Sequence, residues 1–279
     1  MTSATTFNAF ATADARTCDA IDSVRHPAVA RVADVLRSRS SRPRTVLIDD
    51  VENIAQAVRA GVRVIAVYTS ATECHRAADL QTVAPSAELH ILADALLRSL
   101  FGRDKHARIF ALVRAPRPAS WRDVAARQGD LLVLDGVRIA GNIGAIIRTA
   151  CAFNAAGVVL LDSGITTAYD RRLIRASRGL MFTIPVLIAT ASELETFIRS
   201  ERIPLASMTS EPAQPLSNIA GVDGRIAMLM GSERAGASRM LDALAEHRYT
   251  VPMHSPVESL NVSVAAGIAL YERRRAAAA

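Results

Sequence analysis

Three loops contain the side chains best suited to chemistry, and the first runs from Asp135 to Gly144. Its sequence, DGVRIAGNIG, leads into an apolar segment that carries Arg148. Glycines let a backbone approach a ligand closely, and the N-terminus of a helix attracts anions. A dinucleotide-binding fingerprint is only weakly indicated, because GxGxxG is absent and just Gly141 and Gly144 form GxxG. Arg148 is a candidate anion ligand, and the alternative is a structural ion pair with Asp135 or Asp162.

The second and third loops carry further polar groups. The second, GSERAG, begins at Gly231, and its glycines allow a tight turn whose backbone amides face a nucleoside. Glu233 within it is either a helix-capping acid or a group that positions a ligand. The third loop, VPMHSPVESLN, places Ser259 and Asn261 at the start of the last predicted helix, where both residue types are ordinary N-caps. His254 has no nucleophile at triad spacing, which favours an ordinary loop histidine.

Alternating strands and helices must position these loops. In the second half of the chain, short apolar runs without strict alternation predict a parallel sheet that is covered on both faces. The predicted strands are 131–134, 158–161, 185–188, 204–208, 226–230 and 249–251, and the predicted helices are 143–153, 192–201, 238–246 and 261–273. Each loop follows the carboxyl end of a predicted strand, which is where ligands bind in open α/β sheets.

The first half predicts a smaller α/β unit. Its predicted strands are 45–48, 62–68, 88–92 and 108–113, and its predicted helices are 28–37, 51–60 and 94–100. A two-proline segment, APRPAS, follows this unit and is typical of a domain break. We therefore predict a loosely ordered leader at 1–24, a first domain at 25–114, a linker at 115–128 and a second domain at 129–279.

The charge is unevenly distributed along the chain. The net charge is +6, and residues 1–128 contribute +5 of it, with 18 basic against 13 acidic side chains. This asymmetry indicates a polyanion-binding module or, equally, a solvated surface rich in arginine. The run RSRSSRPR places Arg37, Arg39, Arg42 and Arg44 in a loop, where they are candidates for phosphate contacts. Aromatic residues make up only 4%, which argues against a broad stacking platform for single-stranded nucleic acid.

Other features limit the compartment and the cofactor. Cys18, Cys74 and Cys151 are far apart and form no CxxC pair, so a disulfide framework or a zinc site is not expected. There is no run of about 18 uncharged apolar residues, so no membrane span is expected. The N-terminus lacks a basic region followed by an apolar core, so it does not resemble a secretory signal. These features predict a cytoplasmic protein without a metal.

Together the three loops form a far more specific pattern than each does alone. GNIGAIIRTACAF, LMGSERAGAS and VPMHSPVESLNVSVAAGIALYE resemble, in order and spacing, motifs 1, 2 and 3 of the SpoU (TrmH) branch of SPOUT RNA methyltransferases, over about 129–273. The first half is similar to the L30e-like RNA-binding domain of many members. VLDGVRIAGNIGAIIRTA and DRRLIRASRG most resemble the thiostrepton- and nosiheptide-resistance group.

This resemblance implies an α/β fold in which a small L30e-like domain precedes a trefoil-knotted catalytic domain with a parallel sheet. It implies S-adenosylmethionine as cofactor and a homodimer whose active site takes an arginine from the second subunit. It further implies 2′-O-methylation of an adenosine ribose in 23S rRNA, which confers resistance to thiostrepton-type thiopeptides.

The resemblance also implies site residues. The catalytic residues implied are Asn142, Arg148, Arg178, Glu233, Ser259 and Asn261. The cofactor-binding residues implied are Met208, Thr209, Leu229, Met230, Gly231, Ser232, Glu233, Val251, Pro252, Met253 and Leu260. Since arginine hardly deprotonates in proteins, we expect Arg148 to hold the target phosphate and developing alkoxide charge, while Ser259 or water relays the proton. Arg234-Ala235-Gly236 departs from the GlyXGly of many members, which leaves the conformation of that turn open.

Other functions stay open at this point. A methyltransferase of the same branch that acts on tRNA or on another rRNA site would share these motifs, because target choice lies mainly in the first domain. A non-catalytic RNA-binding relative is a different class, and the intact polar motif positions argue against it. A dehydrogenase would bind NAD in place of S-adenosylmethionine, and a titration with both separates the two.

Overall fold

The computed structural model describes residues 20–101, 107–232 and 235–275. The chain divides into two compact units. Unit 1 comprises Met1–Arg39 and Pro43–Ala115, and unit 2 comprises Ser40–Arg42 and Pro116–Ala279. The main division lies at the two-proline segment, next to the predicted end of the first domain.

Unit 1 packs short helices against a mixed sheet. Its helices and strands are α1 (Pro27–Arg37), β1 (Thr45–Asp49), α2 (Val51–Arg59), β2 (Val64–Ser70), α3 (Cys74–Val83), β3 (Glu88–Leu92), α4 (Asp94–Phe101) and β4 (Ile109–Arg114). The strand order is β1-β4-β2-β3, with β4 antiparallel to β1 and β2, and β3 parallel to β2. Tyr68 and Phe110 stack in its core with ring centroids 5.0 Å apart.

The structure differs from the sequence prediction for unit 1 in two places. Helix α3 was not expected, because its segment has no clear apolar period. Among its described side chains, Ala77 and Leu80 are the buried ones. Ile21 lies in the predicted leader but belongs to unit 1, since its N–H donates to the carbonyl oxygen of Ile91 at 2.8 Å. Residues 1–19 of the predicted leader lie outside the described residues.

Unit 2 is an α/β layer structure. Its helices and strands are α5 (Trp121–Ala125), β5 (Leu131–Asp135), α6 (Ala140–Ala152), β6 (Gly157–Leu161), α7 (Arg171–Ala176), β7 (Val186–Ile188), α8 (Ala191–Glu201), β8 (Leu205–Met208), β9 (Gln214–Pro215), β10 (Ala227–Met230), α9 (Arg239–Leu244), β11 (His247–Thr250) and α10 (Val262–Arg275). The strand order is β7-β6-β5-β10-β8-β11-β9, and every described pair is parallel. The predicted α/β class with a parallel sheet is confirmed.

The uniform apolar runs have the expected cause. Every residue of β5 and of β6 is buried, because helices cover both faces of the sheet. On one face, Leu131 and Val133 pack into a cluster with Phe197 of α8. Their neighbour Leu132 points to the other face and is equally buried.

The segment predicted as a linker, 115–128, contains helix α5, so it is more ordered than expected. Trp121 in this helix stacks on Phe197 with ring centroids 4.6 Å apart. Ser120 and Asp123 form a capping box, and Arg117 donates to the Asp123 carboxylate at 2.7 Å. Hydrogen bonds from Arg117 and Ser120 hold the pKa of Asp123 well below its usual range. The prolines that suggested a break therefore lead into a capped helix packed on unit 2.

A run of charged residues predicts a solvated helix end, and of the three arginines that end α10, Arg274 and Arg275 are exposed as expected but Arg273 is not. Arg273 is instead nearly buried, with 12% of its side chain exposed. Its guanidinium donates to the Asp130 carboxylate at 3.1 Å and to the carbonyl oxygens of Ile219, Val222 and Gly224. Arg273 therefore fastens the end of the last helix to the segment that precedes β10.

Candidate functional site

A cavity of about 560 Å³ lies at the carboxyl ends of three neighbouring strands in unit 2. Strands β8, β10 and β11 run in the same direction, so the segments that follow them meet at one edge of the sheet. These segments carry the second and third loops of the sequence, although they lie far apart along the chain. The size is typical of a small-ligand site.

Most predicted cofactor residues line this cavity: Met208, Thr209, Met230, Gly231, Ser232, Val251, Met253 and Leu260. Leu229 does not, because its side chain is fully buried in the cluster beneath the sheet. Pro252 is exposed and is not among the lining residues described. Glu233, predicted for both roles, and Arg234 lie outside the described residues.

The loop after β10 forms a tight turn that hydrogen bonds close. Ser232 and Gly236 exchange backbone hydrogen bonds of 3.0 Å, and the hydroxyl of Ser232 accepts from the N–H of Ala235 at 3.2 Å. A Cβ at Gly231 would overlap the backbone of Gly236 and Ala237. Glycine is thus required at 231 for close approach of backbone to backbone, as the sequence analysis predicted for a tight turn.

The loop after β11 is irregular from 251 to 260. Among described residues, the hydrogen bond from the N–H of Val257 to the carbonyl oxygen of His254 is the only one within this segment. Ser259 lines the cavity, and its hydroxyl bonds to none of the described residues. His254 is exposed, in keeping with a loop histidine.

The first and third loops meet through two asparagines. The side-chain amide of Asn261 donates to the Asn142 side-chain oxygen at 3.2 Å. Asn261 also starts α10, because its side-chain oxygen accepts from the N–H of Ser263 at 2.9 Å. This contact brings the beginnings of α6 and α10 together, beside the segment that carries Ser259.

Arg148 and Arg178 are not among the residues that line the cavity. Arg148 is exposed on α6, and in the described part of the chain it forms no ion pair. Its suggested structural partners have other contacts: Asp162 pairs with Arg138 at 2.7 Å, and Asp135 accepts from the N–H of Ser238 at 2.7 Å. Among the described residues, Arg148 therefore pairs with neither Asp135 nor Asp162, the two partners suggested for it.

Arg178 lies two residues after the end of α7 and adopts a left-handed backbone with φ of 52°. Helix α7 packs so closely on α6 that a Cβ at Gly144 would lie 2.6 Å from the carbonyl carbon of Ala176 and 2.8 Å from the nitrogen of Ser177. This packing sets where the exposed Arg178 lies relative to the helix that carries Asn142 and Arg148.

Sequence reasoning missed an ionic network in the cavity wall. Asp242 of α9 accepts from the Ser207 hydroxyl at 2.7 Å and from Nε of Arg248 at 3.2 Å. Tyr249 lies beside them, and burial raises the pKa of its hydroxyl. Only the β8, α9 and β11 arrangement brings these residues together, and no local motif marks them.

The predicted RNA-binding arginines lie around the connection between α1 and β1. Arg37, Arg39, Arg42 and Arg44 are all exposed, and Arg37 pairs with Asp34 at 2.7 Å. An exposed pair of this kind contributes little to stability and leaves the guanidinium available to solvent.

None of the described helices has the length and apolar character needed to cross a bilayer. Across the described ranges, no three His, Cys, Asp or Glu side chains come together as metal ligands would. Cys74 and Cys151 are free thiols, and Cys18 lies outside the described residues.

Comparison with known families gives two adjacent matches. Residues 18–127 match the thiostrepton-resistance methylase N terminus, and residues 130–271 match the SpoU rRNA methylase family. The chain belongs to the SpoU rRNA methylase family. The predicted family is thereby confirmed, and the three loops that line or flank the cavity all lie within the SpoU segment.

Individual proteins agree with this assignment. The chain is 39% identical over 256 residues to the 23S rRNA (adenosine(1067)-2′-O)-methyltransferase of Streptomyces azureus, covering 91% of this chain and 95% of that one. An RNA 2′-O ribose methyltransferase crystal structure superimposes with a TM-score of 0.76 at 27% identity, covering 93% and 99%. The SpoU methyltransferase AviRb from Streptomyces viridochromogenes, solved with AdoMet, shares the fold with a TM-score of 0.75 at 24% identity, covering 91% and 99%.

Proposed function

We propose that this chain uses S-adenosylmethionine to methylate the ribose 2′-oxygen of an adenosine in 23S rRNA, and so confers resistance to thiostrepton-type thiopeptides. The observation that carries the proposal is the match over both units: the SpoU family covers unit 2, and the thiostrepton-resistance N terminus covers most of the rest. The target is expected to be the adenosine that the Streptomyces azureus relative is named for. A ribosomal substrate makes the cytoplasm the expected site of action.

The cavity fits S-adenosylmethionine in size and in chemistry. Apolar side chains of Leu216, Met230 and Leu260 provide a surface for an adenine ring. The tight turn that begins at Gly231 brings backbone groups against the ligand. We therefore assign the cofactor to the predicted lining residues: Met208, Thr209, Met230, Gly231, Ser232, Val251, Met253 and Leu260. When bound, the cofactor supplies a methyl group on a sulfonium, which is an activated leaving group.

The chain's own residues then orient the ribose and handle its proton. We propose that Ser259, whose hydroxyl has no partner among the described residues, or a water molecule relays the proton of the 2′-hydroxyl: the relaying oxygen accepts this proton while its own proton passes to solvent. Asn142 and Asn261 hold each other beside it and fix the position of the loop. Arg148 and Arg178 are assigned to the target phosphate and to charge on the reacting oxygen, because a guanidinium stays protonated.

We further propose a homodimer, in which Arg148 serves the partner's site. Arg148 does not line the cavity of its own chain and is six residues from Asn142, or about 9 Å along α6. Exposed apolar side chains on and beside α6 and α10 support a dimer interface at this face, because a partner subunit would cover them. Ile139, Val264 and Tyr271 are 60%, 50% and 54% exposed.

The dimer is tested by mixing two inactive variants. We expect Arg148→Ala and Ser259→Ala each to abolish methyl transfer alone. A mixture that exchanges subunits should regain activity, because half of the sites in a mixed dimer then hold both intact residues. Light scattering should give twice the 29.8 kDa chain mass. A monomer with full activity would refute both the dimer and the shared site.

The reaction is tested with tritiated S-adenosylmethionine and 23S rRNA fragments, followed by mapping of the modified ribose through reverse-transcription stops. Label should enter the thiopeptide-binding fragment. The Arg148→Ala variant, which should keep cofactor affinity within a few-fold, is the matched control. Label in tRNA or in another rRNA fragment alone would remove the resistance function and keep the methyltransferase class.

A further inference from the structure

Asp135 is a buried acid that the proposed mechanism does not use. It ends β5 with only 8% of its surface exposed. A buried carboxylate is costly unless hydrogen bonds compensate it. Its Oδ2 accepts from the backbone N–H of Ser238, 103 residues further along the chain, at 2.7 Å. This short contact to a charged acceptor is of the strong kind.

The contact stabilises the beginning of α9. Ser238 is the N-cap residue of that helix, and its own side chain makes no capping hydrogen bond. Asp135 therefore accepts from the N–H of the N-cap residue, the donor that an acidic N3 side chain satisfies in a capping box, and a negative charge at this end also suits the helix dipole.

Asp135 thereby anchors one end of the loop that forms a wall of the cofactor cavity. The loop leaves β10 at Gly231, closes on itself through the Ser232–Gly236 pair, and reaches α9 at Ser238. A Cβ at Gly136, next to Asp135, would lie 3.5 Å from the Cβ of Ser232, so the loop rests on the end of β5. The described residues of this loop line the cavity: Gly231, Ser232, Ala235, Gly236 and Ala237.

We infer that Asp135 is a positioning residue for the cofactor: its bond to the Ser238 N–H holds the loop in the shape that receives S-adenosylmethionine. The inference rests on the function proposed for the cavity. It makes the acceptor oxygen, rather than the negative charge alone, the required feature.

Three variants separate the contribution of the hydrogen bond from that of the negative charge of Asp135. Asp135→Ala removes the acceptor, Asp135→Asn keeps an acceptor oxygen, and Ser238→Pro removes the donor while Asp135 remains. Proline suits position 238, where φ is −62°. Ser238→Ala is the control, because it keeps the backbone N–H.

Calorimetry with S-adenosylmethionine should show about 10-fold or greater weakening for Asp135→Ala and for Ser238→Pro, the range for a hydrogen bond to a charged group. The Asn variant and the Ser238→Ala control should stay within about 3-fold of wild type. The double variant Asp135→Ala/Ser238→Pro should be no weaker than either single change, since both break one bond. Affinity for the rRNA fragment should not change.

Hydrogen exchange without ligand provides a separate readout. The Gly236 N–H, bonded to the Ser232 carbonyl oxygen at 3.0 Å, should lose protection in Asp135→Ala while the β10 amides keep theirs. Unchanged Gly236 protection, an Asn variant as weak as Ala, or additive single effects would overturn the inference. If wild type fails to bind S-adenosylmethionine, the proposed function falls, whereas the exchange result still decides whether Asp135 anchors the loop.

Discussion

Replacing Gly144 with alanine tests whether close packing of α6 on α7 is required for a stable unit 2. The new Cβ would lie 2.6 Å from the carbonyl carbon of Ala176 and 2.8 Å from the nitrogen of Ser177. Carbon atoms in contact are ordinarily about 3.5 Å or more apart, so the helices must separate by about 1 Å. Overpacking of this kind costs about 1–3 kcal/mol.

Gly141 in the same helix is the matched control. A Cβ there meets nothing closer than the Cγ2 of Ile139 at 3.9 Å. Glycine to alanine within a helix is otherwise favourable by about 0.5–1 kcal/mol, and this gain is common to both variants. The difference between Gly141→Ala and Gly144→Ala therefore isolates the packing cost.

Urea unfolding followed by tryptophan fluorescence measures this difference. Trp121 is the only tryptophan of the chain and packs on Phe197 in unit 2, so it reports that unit alone. We expect the free energy of unfolding of the Gly144 variant to be lower by about 1–3 kcal/mol than that of the Gly141 variant. Equal values within about 0.5 kcal/mol would refute the argument from close approach.

Three further predictions follow from single contacts. Gly231→Ala should weaken S-adenosylmethionine binding at least about 10-fold by calorimetry, because the new Cβ would overlap the backbone of the cofactor loop. Gly221→Ala is the control and should leave the affinity unchanged, because the space around Gly221 is open. Arg273→Lys should lower the urea midpoint, because one ammonium cannot replace the four contacts of the guanidinium; an unchanged midpoint would contradict this. The low pKa of Asp123 in the folded state means that its carboxylate stabilises unit 2 above about pH 4 and that this stabilisation is lost as pH falls further. The urea midpoints of wild type and Asp123→Asn, followed by Trp121 fluorescence, should therefore differ less at pH 3 than at pH 6. The same difference at both pH values would disprove the linkage.

Much of unit 2 could be predicted from short segments, because strands that are buried on both faces of a sheet have uniformly apolar sequences. Uniform apolar runs such as LLVL can belong only to a covered strand or a buried helix, and their length favours strands. Helices α3 and α5 were not predicted, because few of their described side chains are buried: Ala77 and Leu80 in α3 and Val124 in α5. The predicted knot and the L30e-like character of the first domain stay predictions.

The sequence by itself determined the family and the cofactor class, and it identified eight residues that line the cavity, because three motifs resemble the family's pattern in order and spacing. Only the tertiary structure decided which distant segments are in contact around the cavity. It joined Asn142 to Asn261 and Asp135 to Ser238 across more than 100 residues, and it left Arg148 outside the cavity of its own chain. The physical reason is that such contacts depend on the path of the chain through the sheet, which no local period or spacing encodes.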